Sequence, residues 1–250
     1  MSKSPAAHSG PSFLRRLAAP VTAAALLAGV AGVWASGAAY AAPAAGTQSA
    51  TDYADCPALP EGVDPARWRC EVHTATPQLT MGKITLTLAP ITMTHAEGPL
   101  PDGTDGGVWG AMHSAPTAVP GGLTGTPAGA HAPITALSIQ PEYGGRSDFY
   151  TGRLSLRFRL RSPLLPQSCA IGASEPVDFQ VKRSGPSKWV SQDPPVIEFS
   201  AYDDTFAAPA PEHCGPLTGF LGRRLGLPAA TGNLMAYDAS YTFKTYDQLP

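Results

Sequence analysis

Alternating apolar and polar residues predict β-strands along the second half of the chain. The clearest pattern spans residues 152–161, where one side is apolar and the other polar: Leu154, Leu156, Phe158 and Leu160 against Arg153, Ser155, Arg157, Arg159 and Arg161. A period of two residues is typical of a half-buried strand. Burying the apolar side chains contributes at most roughly 1.5 to 3 kcal/mol each, while ordering the backbone costs about 1 to 2 kcal/mol per residue. This strand therefore needs a larger sheet around it.

Weaker patterns predict the other elements of the fold. Strands are expected at residues 83–88, 91–95, 134–139, 176–182, 196–202 and 237–244. Apolar residues at helical spacing between 217 and 225, followed by Gly226 and Pro228, predict one short C-terminal helix. The 26 Gly and 27 Pro residues suit short strands and many turns. We therefore expect an all-β fold, an antiparallel sandwich or partly closed barrel of about seven to ten strands stapled by disulfides.

Residues 98–129 are dense in Gly and Pro and lack an apolar period, so they predict a long loop or an insertion. Trp109 in this segment could serve as an aromatic binding platform, or it could pack back onto the sheet. His95, His113 and His131 invite a metal-site interpretation. Without regular elements between them their spacing carries no geometry, and we expect solvated or incidental histidines.

The first 41 residues have the features of a secretory signal peptide: a positive start, an apolar stretch over residues 21–33 and small residues at 39 and 41. Residues 42–55 are small and polar and predict a flexible tether. Residues 56–250 are then expected to form a single β domain. The pair Arg15-Arg16 leaves twin-arginine export open beside ordinary secretion. We expect a secreted or extracellular protein with no membrane span after cleavage, and association with the cell wall stays open.

Four cysteines in an exported chain predict two disulfides, for which three pairings exist. We predict pairing of nearest neighbours, Cys56 with Cys70 and Cys169 with Cys214. The chain-entropy model assigns roughly 3 and 4 kcal/mol to these two loops. Metal ligation is disfavoured, because no two cysteines are spaced as Cys-x-x-Cys and no histidine lies near Cys169.

Loss of the leader would leave a formal charge of −5, because the leader holds three of the 17 basic residues and none of the 19 acidic ones. This balance argues against nucleic acid as a partner. The local run of Arg153, Arg157 and Arg159 is the exception. It could form an anion-binding stripe for polysaccharide or lipid phosphate, or an ordinary solvated face paired with carboxylates.

The sequence carries no nucleophile elbow, zinc-binding helix or phosphate loop, and it predicts no catalytic residue, metal site or cofactor. We expect a non-catalytic envelope or extracellular module, either structural or binding cell-wall glycan, lipid or another envelope protein. The alternative is a secreted hydrolase that uses carboxylates among Glu198, Asp203 and Asp204. Turn capping is the competing interpretation for the two aspartates. A deep pocket in which two of these carboxylates converge would favour the hydrolase.

Three ordered segments resemble a group of uncharacterised secreted proteins of actinobacteria. These segments are Cys169-Ala-Ile-Gly172, Asp204-Thr-Phe-Ala-Ala-Pro209 leading to Cys214-Gly215, and Gly226-Leu-Pro-Ala-Ala-Thr-Gly-Asn233. The resemblance covers residues 154–245, with Ala173 and Ala229 where the group has Ser and Asp204 where it has the Asn of an Asp-Asn pair. It implies export and supports the pairing of Cys169 with Cys214. It implies no activity.

Overall fold

The computed structural model describes residues 52–249, which form two antiparallel β-sheets packed as a sandwich. The predicted signal peptide and residues 42–51 of the predicted tether lie outside the described residues. Neither sheet closes on itself within the described range, and the prediction of an all-β sandwich is confirmed. None of the helices between residues 52 and 249 has the length and apolar character needed to cross a membrane.

The strands contain from 2 to 12 residues and follow one another with few helices. In chain order they are β1 (Arg69–Ala75), β2 (Gln78–Met81), β3 (Ile84–Thr87), β4 (Ile91–Pro99), β5 (Asp105–Ser114), β6 (Thr117–Ala118), β7 (Ser138–Asp148), β8 (Arg153–Arg161), β9 (Ala170–Ile171), β10 (Val177–Gln180), β11 (Lys182–Arg183), β12 (Lys188–Gln192), β13 (Pro195–Asp203), β14 (Pro211–Glu212) and β15 (Leu234–Thr245). The α-helices are α1 (Pro127–His131) and α2 (Thr218–Leu225). Single turns of 3-10 helix occupy Pro65–Arg67, Pro133–Thr135, Gly215–Leu217 and Tyr246–Gln248.

The two sheets are interleaved along the chain. The first sheet runs β11-β13-β15-β1-β4-β5, with β12 beside β13 and the β2–β3 hairpin beside β15. The second sheet runs β14-β9-β8-β7-β6, with β10 also beside β8. The long strand β15 therefore lies in the middle of the first sheet, and β8 lies in the middle of the second.

The regular alternations correspond to real strands. β8 is the arginine-rich strand, and its Leu156, Phe158 and Leu160 are buried between the sheets. β10, β13 and β15 occupy the later predicted positions. The predicted helix is α2, whose Leu221 and Leu225 join the same core. It ends at Gly226 with φ 68°, a left-handed conformation that glycine adopts without strain.

The prediction of a long loop over residues 98–129 is wrong for residues 105–114. These residues form β5, which pairs with β4 along its whole length. Apolar periodicity does not reveal this strand because glycines interrupt it. A Cβ on Gly110 would lie 2.5 Å from the carbonyl oxygen of Asp55 and 2.8 Å from that of Thr94. Glycine is needed at this position because three backbone segments approach closely, and the alternation of apolar and polar side chains does not reveal this need.

Both predicted disulfides are present. Cys56 is bonded to Cys70 at the start of β1, and Cys169 is bonded to Cys214 beside α2. All four sulfurs are thereby paired, and Cys169 and Cys214 are fully buried. The second bridge joins the connection after β8 to the connection before α2, so it staples the second sheet to its helix.

Residues 52–55, predicted as the end of a flexible tether, contact the first sheet instead. The hydroxyl of Tyr53 lies 3.3 Å from Oγ1 of Thr242 on β15. The carboxylate of Asp55 lies 2.8 Å from Nε2 of His113 on β5. The ordered fold therefore begins before the first cysteine.

Candidate ligand cavity and its polar cluster

A cavity of about 480 Å³ lies between the two sheets. The first sheet lines it with β1, β4, β13 and β15, and the second sheet lines it with the hairpin that joins β7 to β8. Much of the wall is aromatic or carries thioether groups, from Met93, Met112, Phe149, Phe199, Tyr237 and Tyr241. Sites for small molecules have volumes of about 300 to 1,000 Å³ and similarly apolar walls. The cavity has the size and lining of such a site.

Five polar side chains from β1 and β4 interrupt this apolar wall, and we call them the polar cluster: Arg69, Glu71, His73, His95 and Glu97. Alternate residues of a strand share one face. The antiparallel register places Glu71 opposite His95 and Arg69 opposite Glu97. Cross-strand partners lie close enough for their side chains to interact. Two short stretches of sequence therefore meet on the inner face of the first sheet.

The guanidinium of Arg69 contacts both carboxylates of the polar cluster. Its Nε donates to Oε1 of Glu97 at 3.0 Å, and its Nη2 donates to the same oxygen. The same Nε forms an ion pair with Oε1 of Glu71 at 2.6 Å. Oε2 of Glu71 lies 3.0 Å from Nε2 of His73 and 3.8 Å from Nε2 of His95. The carboxylate of Glu71 is thus the centre of the polar cluster.

His95 is buried without a hydrogen-bond partner. Its side chain is 1% exposed, and within residues 52–249 neither ring nitrogen has a partner. Nε2 lies 3.5 Å from Oε2 of Glu97, which is a long contact. The ring stacks on Phe149 with centroids 3.6 Å apart and 9° between the planes, so its orientation is fixed. Nearly all buried polar side-chain atoms in proteins have a partner, which makes His95 an exception that needs an explanation.

Burial governs protonation in the polar cluster. Burial, followed by the charge of Glu97, raises the pKa of Glu71 to about 7. Burial lowers the pKa of His73 to about 4 and also lowers the pKa of His95. Burial would raise the pKa of Glu97, but contacts with His95 and Arg69 outweigh it and lower that pKa to about 2. Near neutral pH, both imidazoles are therefore neutral and the carboxylate of Glu97 is ionised.

Two irregularities in the strands shape the cavity at His95. Gly110 is an extra residue of β5 opposite the step from Thr94 to His95, which makes it a β-bulge. Bulges bend a strand and re-aim the neighbouring side chains. Residues 144–146 interrupt the pairing of β7 with β8. The hairpin beyond this interruption brings Phe149 onto the ring of His95.

The four predicted ligand-binding residues occupy different environments. Trp109, on β5, stacks on a tyrosine of β7 with ring centroids 3.7 Å apart. Arg153 is exposed and lines the cavity. Arg157 is half-buried, and Arg159 donates to both carboxylate oxygens of Glu142 at 2.5 and 2.9 Å. The three arginines therefore do not present one free cationic stripe.

The histidines considered from sequence do not converge. His113 is exposed on β5 and pairs with Asp55, whereas His131 lies in α1. His95 lies inside the cavity and has His73 as its neighbour, with ring centroids 5.0 Å apart. The histidine pair that the fold brings together is thus one that the sequence spacing did not suggest.

The carboxylates on which the hydrolase alternative depends also lie apart. Asp203 is buried as a turn cap: Oδ1 accepts from the backbone N and Oγ1 of Thr205, and Oδ2 accepts from the backbone N of Gln180, each at 2.7 Å. Asp204 and Glu198 are exposed. None of the three lines the cavity. Asp203 therefore acts as a turn cap, and the three carboxylates do not share a pocket.

The polar cluster was not predicted, although the sequence contains a signal for it. Glu71-Val-His73 and His95-Ala-Glu97 carry the same two residue types in opposite order. The antiparallel register of β1 and β4 places Glu71 opposite His95, with His73 and Glu97 two positions along on the same face of the sheet. Alternating polar residues usually indicate a solvated face, so the pattern is uninformative until the register is known.

Glu71, His73 and His95 each offer a ligand atom, and the three atoms lie within 4.8 Å of one another. The arrangement can therefore accept hydrogen bonds from a small molecule or donate electron pairs to a cation. Comparisons of the chain with protein-family models, curated proteins and solved structures give no match. The conclusions below about function accordingly follow from the geometry of the cavity.

Proposed function

We propose that this protein is an extracellular binding module that holds a small, largely apolar ligand between its two sheets. The observation that carries the proposal is the cavity of about 480 Å³, whose wall is largely aromatic and includes the buried His95, which has no hydrogen-bond partner within residues 52–249. Protein interiors are normally packed to the density of organic crystals. A recess of this size between two sheets, with buried polar atoms in its wall, is typical of a ligand site.

The shape of the site favours a small molecule or a lipid-like chain over the other partners considered. The cavity is bounded on two sides by the sheets, which suits a compact ligand better than an extended glycan or a flat protein surface. Flat aromatic walls and thioethers suit apolar or aromatic groups. Arg153 lies opposite Asp148 in the lining, and Arg183 adds a further positive charge beside which an acidic group on the ligand would be accommodated.

Export is part of the proposal. The two disulfides support it, because such bonds form and persist in oxidising compartments. The leader-like N-terminal sequence and the resemblance to secreted actinobacterial proteins point the same way. An exported binding module fits either the cell envelope or the surrounding medium.

Filling the cavity tests the proposal. Ala239 lines the cavity on β15 and is 7% exposed, so Ala239→Phe would project a ring into the ligand space. Ala236 lies on the opposite face of the same strand, and Ala236→Phe is the matched control. We expect saturable binding of the acidic aromatic probe anilinonaphthalene sulfonate by the wild type and the control. The filled variant should bind at least about tenfold more weakly, a change of about 1.4 kcal/mol.

Circular dichroism and thermal unfolding would confirm that both variants fold. Equal probe affinity in a folded Ala239→Phe variant would place binding elsewhere and overturn the proposal. Mass spectrometry of an organic extract of the secreted protein would also identify a co-purified ligand. That ligand should be absent from an extract of the filled variant.

A further inference from the structure

We propose that Glu71, His73 and His95 form a binding site for a divalent transition-metal ion of the zinc type. The ligand atoms come from adjacent strands, with Glu71 and His73 two residues apart on β1 and His95 across the strand pair on β4. Placing ligands on paired strands fixes their Cα positions, so that only side-chain rotation is needed to close the site. The proposal concerns the ion and does not require the apolar ligand proposed above.

The distances are close to those of a metal site. Tetrahedral zinc, with bonds of about 2.0 to 2.1 Å, separates neighbouring ligand atoms by about 3.3 Å. Oε2 of Glu71 is 3.0 Å from Nε2 of His73 and 3.8 Å from Nε2 of His95. All three ligand atoms lie within 4.8 Å of one another. Contraction of the widest pair by about 1.5 Å, through χ rotations, would give the required geometry.

The unpartnered His95 is the independent observation that points to a ligand. Its ring is buried and held by the stack on Phe149, yet neither nitrogen donates or accepts a hydrogen bond within the described chain. Leaving such a buried group unsatisfied is unfavourable, because it loses its hydrogen bonds to water and gains none in return. A metal ion bound to Nε2 would satisfy this atom and the carboxylate of Glu71 together.

The ligand set selects the class of ion. Two imidazole nitrogens and one carboxylate oxygen suit Zn²⁺ and its transition-metal neighbours, whereas Mg²⁺ and Ca²⁺ prefer oxygen alone. Arg69 and Glu97 flank the three ligands, and Arg69 contacts the carboxylates of both Glu71 and Glu97. Three protein ligands leave one position open, and the cavity provides space for a water molecule or the bound ligand there.

Metal titration of EDTA-treated protein tests the site. We expect one Zn²⁺ per chain by calorimetry, and one Co²⁺ per chain giving the visible absorption of a low-symmetry, four-coordinate ion. Mg²⁺ should not compete. His95→Gln and His73→Gln should each weaken Zn²⁺ binding by at least about 100-fold, since loss of a direct ligand exceeds the 10- to 100-fold cost of losing a supporting contact. His113→Gln, at an exposed histidine outside the cavity, is the control and should bind as the wild type does.

Several outcomes would overturn the site. Absence of stoichiometric binding in the wild type would show that the three side chains do not hold a metal ion. Loss of binding in His113→Gln with retention in His95→Gln would locate the metal at the surface. The Co²⁺ spectrum is measured on the wild type, so it tests for a four-coordinate ion even if a substitution prevents folding. Probe binding by metal-free protein, measured in parallel, separates failure of this site from failure of the apolar cavity.

Discussion

Arg69 should hold the polar cluster together, and its removal provides a quantitative test of the cluster's electrostatics. Its guanidinium contacts Glu71 at 2.6 Å and Glu97 at 3.0 Å, while the two carboxylates are only 5% and 12% exposed. Breaking a buried ion pair by removing one partner costs about 3 to 5 kcal/mol. Because Arg69 itself is 41% exposed, water can partly replace it, and we expect a loss of about 2 to 3 kcal/mol for Arg69→Met.

Urea unfolding followed by circular dichroism, in the presence of EDTA, measures this loss. Arg153→Met is the matched control, since that arginine is exposed, and its effect should stay within about 0.5 kcal/mol. Adding Glu97→Gln to Arg69→Met removes one of the two carboxylates that have lost their guanidinium partner, and it should recover part of the unfolding free energy. Zn²⁺ should stabilise Arg69→Met more than the wild type, because the ion supplies the missing positive charge. An Arg69→Met variant as stable as the Arg153→Met control would refute this account of the cluster.

Two further predictions concern the scaffold. Replacing Cys169 and Cys214 by alanine opens a 45-residue loop and should lower the unfolding free energy by about 4 kcal/mol, against about 3 for the 14-residue loop of the first disulfide. Chemical denaturation of both variants tests this order. Equal or reversed losses of unfolding free energy would contradict it. Asp203→Ala should lower the unfolding free energy by about 3 kcal/mol by removing three hydrogen bonds, whereas Asp204→Ala should change it by less than about 0.5. An Asp203→Ala variant as stable as the wild type would show that the turn does not depend on this carboxylate.

The sequence predicts the scaffold well where one face of a strand is apolar. Leu156, Phe158 and Leu160 of β8 face the core as their spacing indicates, and the pairing of nearest cysteines is correct. β5 was missed because its contacts are made by backbone at Gly110, where no side chain contributes to an apolar pattern. Periodicity reports side-chain burial, so it cannot detect a strand that is selected by close backbone approach.

The site was harder to predict than the scaffold for a related reason. The polar residues of β1 alternate with Cys70 and Val72, both buried, so the apolar half of the pattern indicates the face turned away from the cavity. Both faces of this strand are covered, and period alone cannot show that the polar face is interior. The arginines of β8 are the opposite case. Their alternation suggests a free polar face, yet Arg159 donates to both carboxylate oxygens of Glu142. Exposure and pairing depend on register, which the sequence does not specify.

The most direct test of the account is a crystal structure of the protein grown with Zn²⁺, with anomalous data collected at the zinc absorption edge. The account predicts one strong peak about 2 Å from ligand atoms of Glu71, His73 and His95, with the inter-sheet cavity open beside it. Zinc peaks confined to surface histidines, together with a cavity filled by repacked side chains, would contradict the claim that function resides between the sheets.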